Sequence, residues 1–170
     1  GRMTFDQIVE TVVDTAKTTA AHFAVLIGAM IFAQFVNFSG VHAALLGWVE
    51  GLDVAPITII AIIVLIYLLL GCVLESLSMI LLTVPLFFPI VTGLGYDPIW
   101  FGILLVITVE IGLITPPIGV NVFVLKSVAG DVRTGTIFAG VLPFWVADIA
   151  RVAVVVLVPG TALFLPELLF

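Results

Sequence analysis

The residues with the clearest chemical potential lie in the run Glu110-Ile-Gly-Leu-Ile-Thr-Pro-Pro-Ile-Gly-Val-Asn121. Pro116 and Pro117 carry no backbone N–H, and each disfavours helical geometry in the residue before it. Thr115 and Pro116 are therefore pushed towards extended backbone. Gly112 and Gly119 permit turns that other residues resist. Several carbonyls are left pointing sideways, with the Thr115 hydroxyl and the Asn121 amide nearby. Oxygen-rich clusters of low charge suit an alkali cation. The N-terminus of the half-helix that follows offers N–H groups and the positive end of a dipole to an anion. A proline kink without a ligand is the competing reading. One proline would make it the default, but Thr-Pro-Pro-x-Gly-x-Asn makes it the weaker alternative.

A second cluster is Gly71-Cys-Val-Leu-Glu-Ser-Leu-Ser78. Glu75 supplies a carboxylate, and Ser76 and Ser78 supply hydroxyls. A carboxylate inside a membrane is costly unless hydrated, paired or protonated, so a functional site is its default reading. The bland alternative is a surface turn. Glu110 is open to the same functional reading, or to an ion pair with Lys126. No enzyme signature is present: neither HExxH, nor a phosphate-binding glycine loop, nor a usable Ser/His or paired-Asp arrangement. Cys72 is the single cysteine, which excludes an internal disulfide or Cys-based metal site and fits a small packing residue.

Composition explains why a broken helix matters here. The chain has 170 residues, 63% hydrophobic and 9% charged, against about 25% charged in soluble domains. The mean hydropathy is +1.42. This is an all-α membrane protein: the apolar runs do not alternate as barrel strands would. A span needs about 20 apolar residues, so only a few embedded elements fit. Hydrocarbon cannot satisfy backbone groups freed by a break, so they must face protein, water or an ion. The net charge of −6 comes from dispersed acids, and no basic patch suggests nucleic acid. The chain opens without a signal-peptide pattern and reads as a fragment or split half of a longer membrane protein.

Four regions must position the two clusters. Residues 1–53 hold an amphipathic interfacial helix (Asp6, Glu10 and Asp14 on one face), a span from Thr18 to about Phe38, and a short arm helix over Val41–Leu52. Residues 54–95 read as a re-entrant helical hairpin with Gly71–Ser78 at its tip. Two full spans are the alternative, and the shortness of each arm favours the hairpin. Residues 96–130 form the broken helix. Residues 131–170 give a final span over Thr136–Val158, with Pro159-Gly160 and Pro166 ending the chain. His22 and Gln34 suit interhelical hydrogen bonds or an interface. Trp100 and Trp145 suit interface anchors or internal packing. Asp148 and Arg151 lie one helical turn apart and can pair. The few basic residues (Arg2, Lys17, Lys126 and Arg133) place the N-terminus and the loop before the last span in the cytoplasm.

In these residues the chain resembles the C-terminal half of the large membrane subunit of tripartite ATP-independent periplasmic (TRAP) transporters. The resemblance rests on Gly71–Pro85 with Pro89, Leu94-Gly-Tyr-Asp-Pro98 with Trp100-Phe-Gly102, Glu110–Asn121, and Gly140-Val-Leu-Pro-Phe144. Glu75 departs from it, since aspartate is the commoner residue there. The resemblance implies one repeat of an inverted-repeat, elevator-type transporter in the bacterial inner membrane, crossing it several times. It implies sodium-driven import of an organic acid. The implied partners are a small four-helix membrane subunit, a periplasmic substrate-binding protein and the missing N-terminal half. Carried onto this chain, sodium falls to Glu75, Ser76, Ser78, Gly112, Thr115, Pro116, Gly119 and Asn121. Substrate falls to Ser78, Thr115, Pro117 and Asn121. The rival readings are a citrate or arsenite carrier of the same superfamily working without a binding protein, and a non-transporting scaffold subunit.

Overall fold

The computed structural model describes residues 4–116 and 119–169, and all their regular structure is α-helical. The first helix, α1, runs unbroken over Phe5–Ser39. Thr4 and Gln7 form a reciprocal capping box at its start. The expected interfacial segment and first span are thus one rod. No glycine or proline separates them, and Thr11, Thr15 and Thr18 return their hydroxyls to carbonyls four residues earlier, at 2.7–2.9 Å. Those hydrogen bonds let polar side chains stay on the helix without interrupting it. Gly40, left-handed at φ 69°, turns the chain into the arm helix α2, Val41–Glu50.

The hairpin arms are α3 (Pro56–Gly71) and α4 (Ser76–Gly93). α3 opens on Pro56, where a missing N–H costs nothing. α4 continues through Pro85 and Pro89. The arms are tied by a buried hydrogen bond of 2.7 Å between the Thr83 and Tyr67 hydroxyls. Asp97 caps the next helix, α5 (Pro98–Ile114), accepting from the amides of Ile99 and Trp100 at 2.7 and 3.1 Å.

α5 is the axis of the fold. It buries Trp100, Phe101, Leu104, Leu105, Thr108, Val109 and Ile111, and it packs against α3, α4, α6, α7 and α8. Helices surrounded in this way read as apolar around most of their circumference, and exposed Glu110 is the one charged residue of α5. The Trp100 indole is fully buried and donates to the Val155 carbonyl at 2.8 Å, which makes it an internal residue and not an interface anchor.

The second half-helix, α6 (Val120–Ala129), ends where Lys126 donates to the carbonyls of Gly130 and Val132. Lys126 thus serves the C-terminus of its own helix, where a cation is favoured, and makes no ion pair with Glu110 among the described residues. α7 (Thr134–Leu157) contains the expected pair, Arg151 to Asp148 at 3.0 Å. The chain does not simply end beyond it. Gly160–Leu169 form a further helix, α8, with Pro166 inside. Pro159 stands just ahead of that helix and removes no hydrogen bond from it. Among the described residues, three helices, α1, α4 and α7, are long and apolar enough to cross a membrane.

Candidate functional site

The tip of the hairpin and the break of α5–α6 are brought together by two glycines. A Cβ built on Gly71 would lie 2.8 Å from the Gly112 Cα, and one on Gly112 would lie 2.7 Å from the Gly71 Cα. α3 and α5 therefore cross backbone on backbone, each just before its helix ends. Gly112 has ordinary helical geometry and is not among the positive-φ residues. The expectation that it serves as a turn is corrected: its missing side chain is needed for close approach. Beyond the crossing, the buried Cys72 thiol donates to the Leu68 carbonyl at 3.2 Å and reaches the Thr115 carbonyl at 3.7 Å. That contact joins tip to break directly.

At the tip, residues 72–75 separate the two arms. Glu75 is the N-cap of α4. Its carboxylate accepts from the amides of Leu77 and Ser78 at 2.9 and 3.0 Å, and from the Ser78 hydroxyl at 3.0 Å. A negative charge there satisfies orphan amides and opposes the positive end of the α4 dipole. Glu75 is exposed, and Ser76 and Ser78 are half-buried. No described hydrogen bond runs from these three residues to Thr115 or Asn121.

At the break, Thr115 ends α5 with extended backbone, ψ 129°, as the following proline demands. Its hydroxyl donates to the Ile111 carbonyl at 2.6 Å and accepts from the Trp145 indole at 2.9 Å. Pro116 is exposed in the gap, and Asn121 is exposed on the first turn of α6. Pro117 lies outside the described residues. Gly119 is the N-cap of α6 at φ 49°, where a side chain would be strained. A Cβ added there would also press on backbone, with the Thr115 oxygen at 3.3 Å and the Leu113 oxygen at 3.4 Å. Two carbonyl oxygens therefore converge on the space that glycine leaves empty. In a continuous helix the Leu113 carbonyl would accept from residue 117, but Pro117 has no N–H to give. Carbonyls in a glycine cradle, with a hydroxyl close by, form the kind of donor set a hard monovalent cation takes.

The sequence reading missed three contributors. The Leu113 carbonyl could have been found by counting four residues back from Pro117. Cys72 and Trp145 carry no local signal, because their partner Thr115 is 43 and 30 residues away. A largely apolar cavity of about 370 Å³ lies against Cys72, Val73, Thr115, Pro116 and Trp145.

The break, its flanking helices and the hairpin all fall within residues 1–161, which match the family described as the tripartite ATP-independent periplasmic transporter, DctM component. The chain belongs to the DctM family. It is 32% identical over 165 residues to the C4-dicarboxylate TRAP transporter large permease protein DctM of Pseudomonas aeruginosa, covering 97% of this chain and 38% of that protein. It is 32% identical over 166 residues to the sialic acid TRAP transporter large permease protein SiaM of Vibrio cholerae, covering 98% and 39%. The isethionate TRAP transporter permease protein DctMQ of Oleidesulfovibrio alaskensis is 32% identical over 153 residues, covering 90% and 24%. This DctM-family chain thus spans about two-fifths or less of the relatives it matches. It is a membrane protein, in keeping with its exposed apolar helices.

Proposed function

We propose that this chain is the C-terminal half of the large permease subunit of a TRAP transporter, and that the whole subunit imports an organic acid driven by sodium. Within it, 54–95 is a re-entrant hairpin and 96–130 the broken helix of a moving transport domain. Residues 1–53 belong to the scaffold, and 131–170 supply the final span. α3 has 16 residues, about 24 Å of helix, against a hydrocarbon core of about 30 Å. An arm of that length suits a hairpin that enters and returns, although α4 alone could cross.

The observation that carries the proposal is the Gly71–Gly112 crossing, which sets the tip beside the break. Sodium is held at the break by the carbonyls of Leu113 and Thr115, the Thr115 hydroxyl and the Asn121 amide. Glu75, Ser76 and Ser78 close the site from the tip. The N-terminus of α6 receives the carboxylate of the organic acid, and Ser78 lines the same wall. Sodium orders the break, so that the loaded form is the one that binds substrate and closes. The relatives are named for C4-dicarboxylate, sialic acid and isethionate, all of them anions, which suits a site with a helix N-terminus and a cation. A small four-helix membrane subunit, a periplasmic binding protein and the N-terminal half of the large subunit complete the machine in the bacterial inner membrane.

The test is uptake by the complete transporter in proteoliposomes across a range of sodium concentrations. Thr115→Ala and Asn121→Ala are each expected to raise the half-saturating sodium concentration about tenfold, the loss of roughly 1.4 kcal/mol of ion binding. Unchanged sodium dependence in both variants would refute sodium binding at the break.

A further inference from the structure

The hydroxyl of Thr115 is held from outside the break. Its proton goes to the Ile111 carbonyl at 2.6 Å, and the Trp145 indole N–H, on the final membrane helix, approaches the same oxygen at 2.9 Å. A threonine hydroxyl has one proton and two acceptor positions, and an indole can only donate. With its proton committed and one acceptor position filled, the oxygen keeps a single acceptor position. It can accept one donor or ligate one cation, and it cannot rotate to donate elsewhere without giving up its bond to Ile111. Trp145 is half-buried, and its ring lines the apolar cavity against Cys72 and Pro116. Low surrounding polarity strengthens such a bond. Two residues earlier, Pro143 interrupts the hydrogen bonding of α7. The α7 helix that carries Trp145 packs against both α5 and α6.

We propose that Trp145 is a positioning residue for the break: its indole N–H fixes the Thr115 hydroxyl as a pure acceptor and ties the broken helix to the final span. The inference rests on the sodium reading above. Trp145 itself touches no ion. Its contribution is to spare the site the cost of orienting the Thr115 oxygen when sodium arrives, so its loss appears in the sodium constant and not in substrate affinity at saturating sodium.

The test uses the complete transporter in proteoliposomes with Trp145→Phe, which keeps an aromatic ring and loses the N–H. The half-saturating sodium concentration is expected to rise about three- to tenfold, the scale of one net hydrogen bond. The KM for the organic acid at saturating sodium is expected to stay within about twofold, below the worth of one hydrogen bond. Both constants are independent of how much transporter reaches the membrane. On a Thr115→Ala background, where no hydroxyl remains to be held, Trp145→Phe is expected to add nothing further. If Thr115→Ala shifts the sodium constant and Trp145→Phe does not, the positioning role fails and the sodium site stands. If the two shifts multiply in the double variant, Trp145 acts by another route and the inference also fails. If Thr115→Ala leaves the sodium constant unchanged, both the inference and the sodium role of Thr115 fall.

Discussion

Two of the gaps between helices, the hairpin tip and the α5–α6 break, lie side by side and are finished differently. At the tip, Glu75 closes the start of α4 with its own carboxylate, bonded to two amides and the Ser78 hydroxyl. At the break, α6 starts on Gly119, which has no side chain to cap anything. Both helix ends carry exposed N–H groups and a positive dipole end. One is capped by its own carboxylate, and the other has no side-chain cap among the described residues. The contrast assigns different work to the two gaps. The tip caps itself, while the break turns the carbonyls of Leu113 and Thr115 towards the Gly119 cradle and starts its second helix without a side-chain cap among the described residues. A site for a cation and an anion together requires that second arrangement.

The comparison depends on the gaps being adjacent, so the largest effect should come from separating them. Gly112→Val places a branched side chain where even a Cβ would lie 2.7 Å from the Gly71 backbone. The two helices must part, and overpacking of this kind costs about 1–3 kcal/mol in stability. Transport by the complete protein is expected to fall below detection. Gly102→Ala on the same helix meets nothing within 4 Å and should leave uptake at the wild-type level. Equal behaviour of the two variants in an uptake assay would mean that the crossing does not matter.

The next test makes the break resemble the tip. Gly119→Asp puts a carboxylate at the start of α6, as Glu75 does for α4. Gly119→Asn supplies nearly the same volume and the same left-handed strain without the charge, since both residues tolerate φ near 49° better than most. If the open N-terminus of α6 receives the substrate carboxylate, Gly119→Asp should take up the organic acid about tenfold less efficiently than Gly119→Asn, or ~1.4 kcal/mol. The measurement is kcat/KM at saturating sodium. Matching values for the two variants would show that α6 does not receive the anion.

The sequence made the gaps legible and left their relationship hidden. Pro116 and Pro117 stop α5 at Ile114 for reasons that are entirely local, and Asp97-Pro98 announces its start in the same way. The tip follows equally well from Gly71 and the polar run behind it. The crossing of Gly71 on Gly112 does not, because each glycine is an unremarkable helical residue until the two backbones meet. Glu75 was legible as important, but a lone carboxylate in a polar tip does not disclose that it caps its own helix. Trp145 and Cys72 act on Thr115 only through the packing of α7 and α3 against α5. α8 was missed because Pro159 and Pro166 read as terminators, whereas Pro159 stands before the first turn and removes no bond, and the helix continues through Pro166.

The smallest effect is expected where the hairpin arms hold each other, away from both gaps. Tyr67 and Thr83 form their buried hydrogen bond between α3 and α4, and the Thr83 hydroxyl also lies 2.7 Å from the Met79 carbonyl. One proton cannot serve both oxygens, so when the tyrosine hydroxyl supplies the proton between them, the threonine proton is free for Met79. Tyr67→Phe keeps the ring packed edge-on against Phe87, at 5.5 Å between centroids, and removes only the phenolic oxygen. Thr83 still has its intrahelical partner, so no buried donor is orphaned. The cost should be about 0.5–1.5 kcal/mol of stability, seen as a modest drop in melting temperature in detergent. The sodium constant should not move, because among the described residues neither hydrogen-bonds to Thr115, Gly119 or Asn121. A shift in sodium affinity in Tyr67→Phe would mean that the arms transmit their packing to the tip, and the division between a self-capped tip and an uncapped break would have to be redrawn.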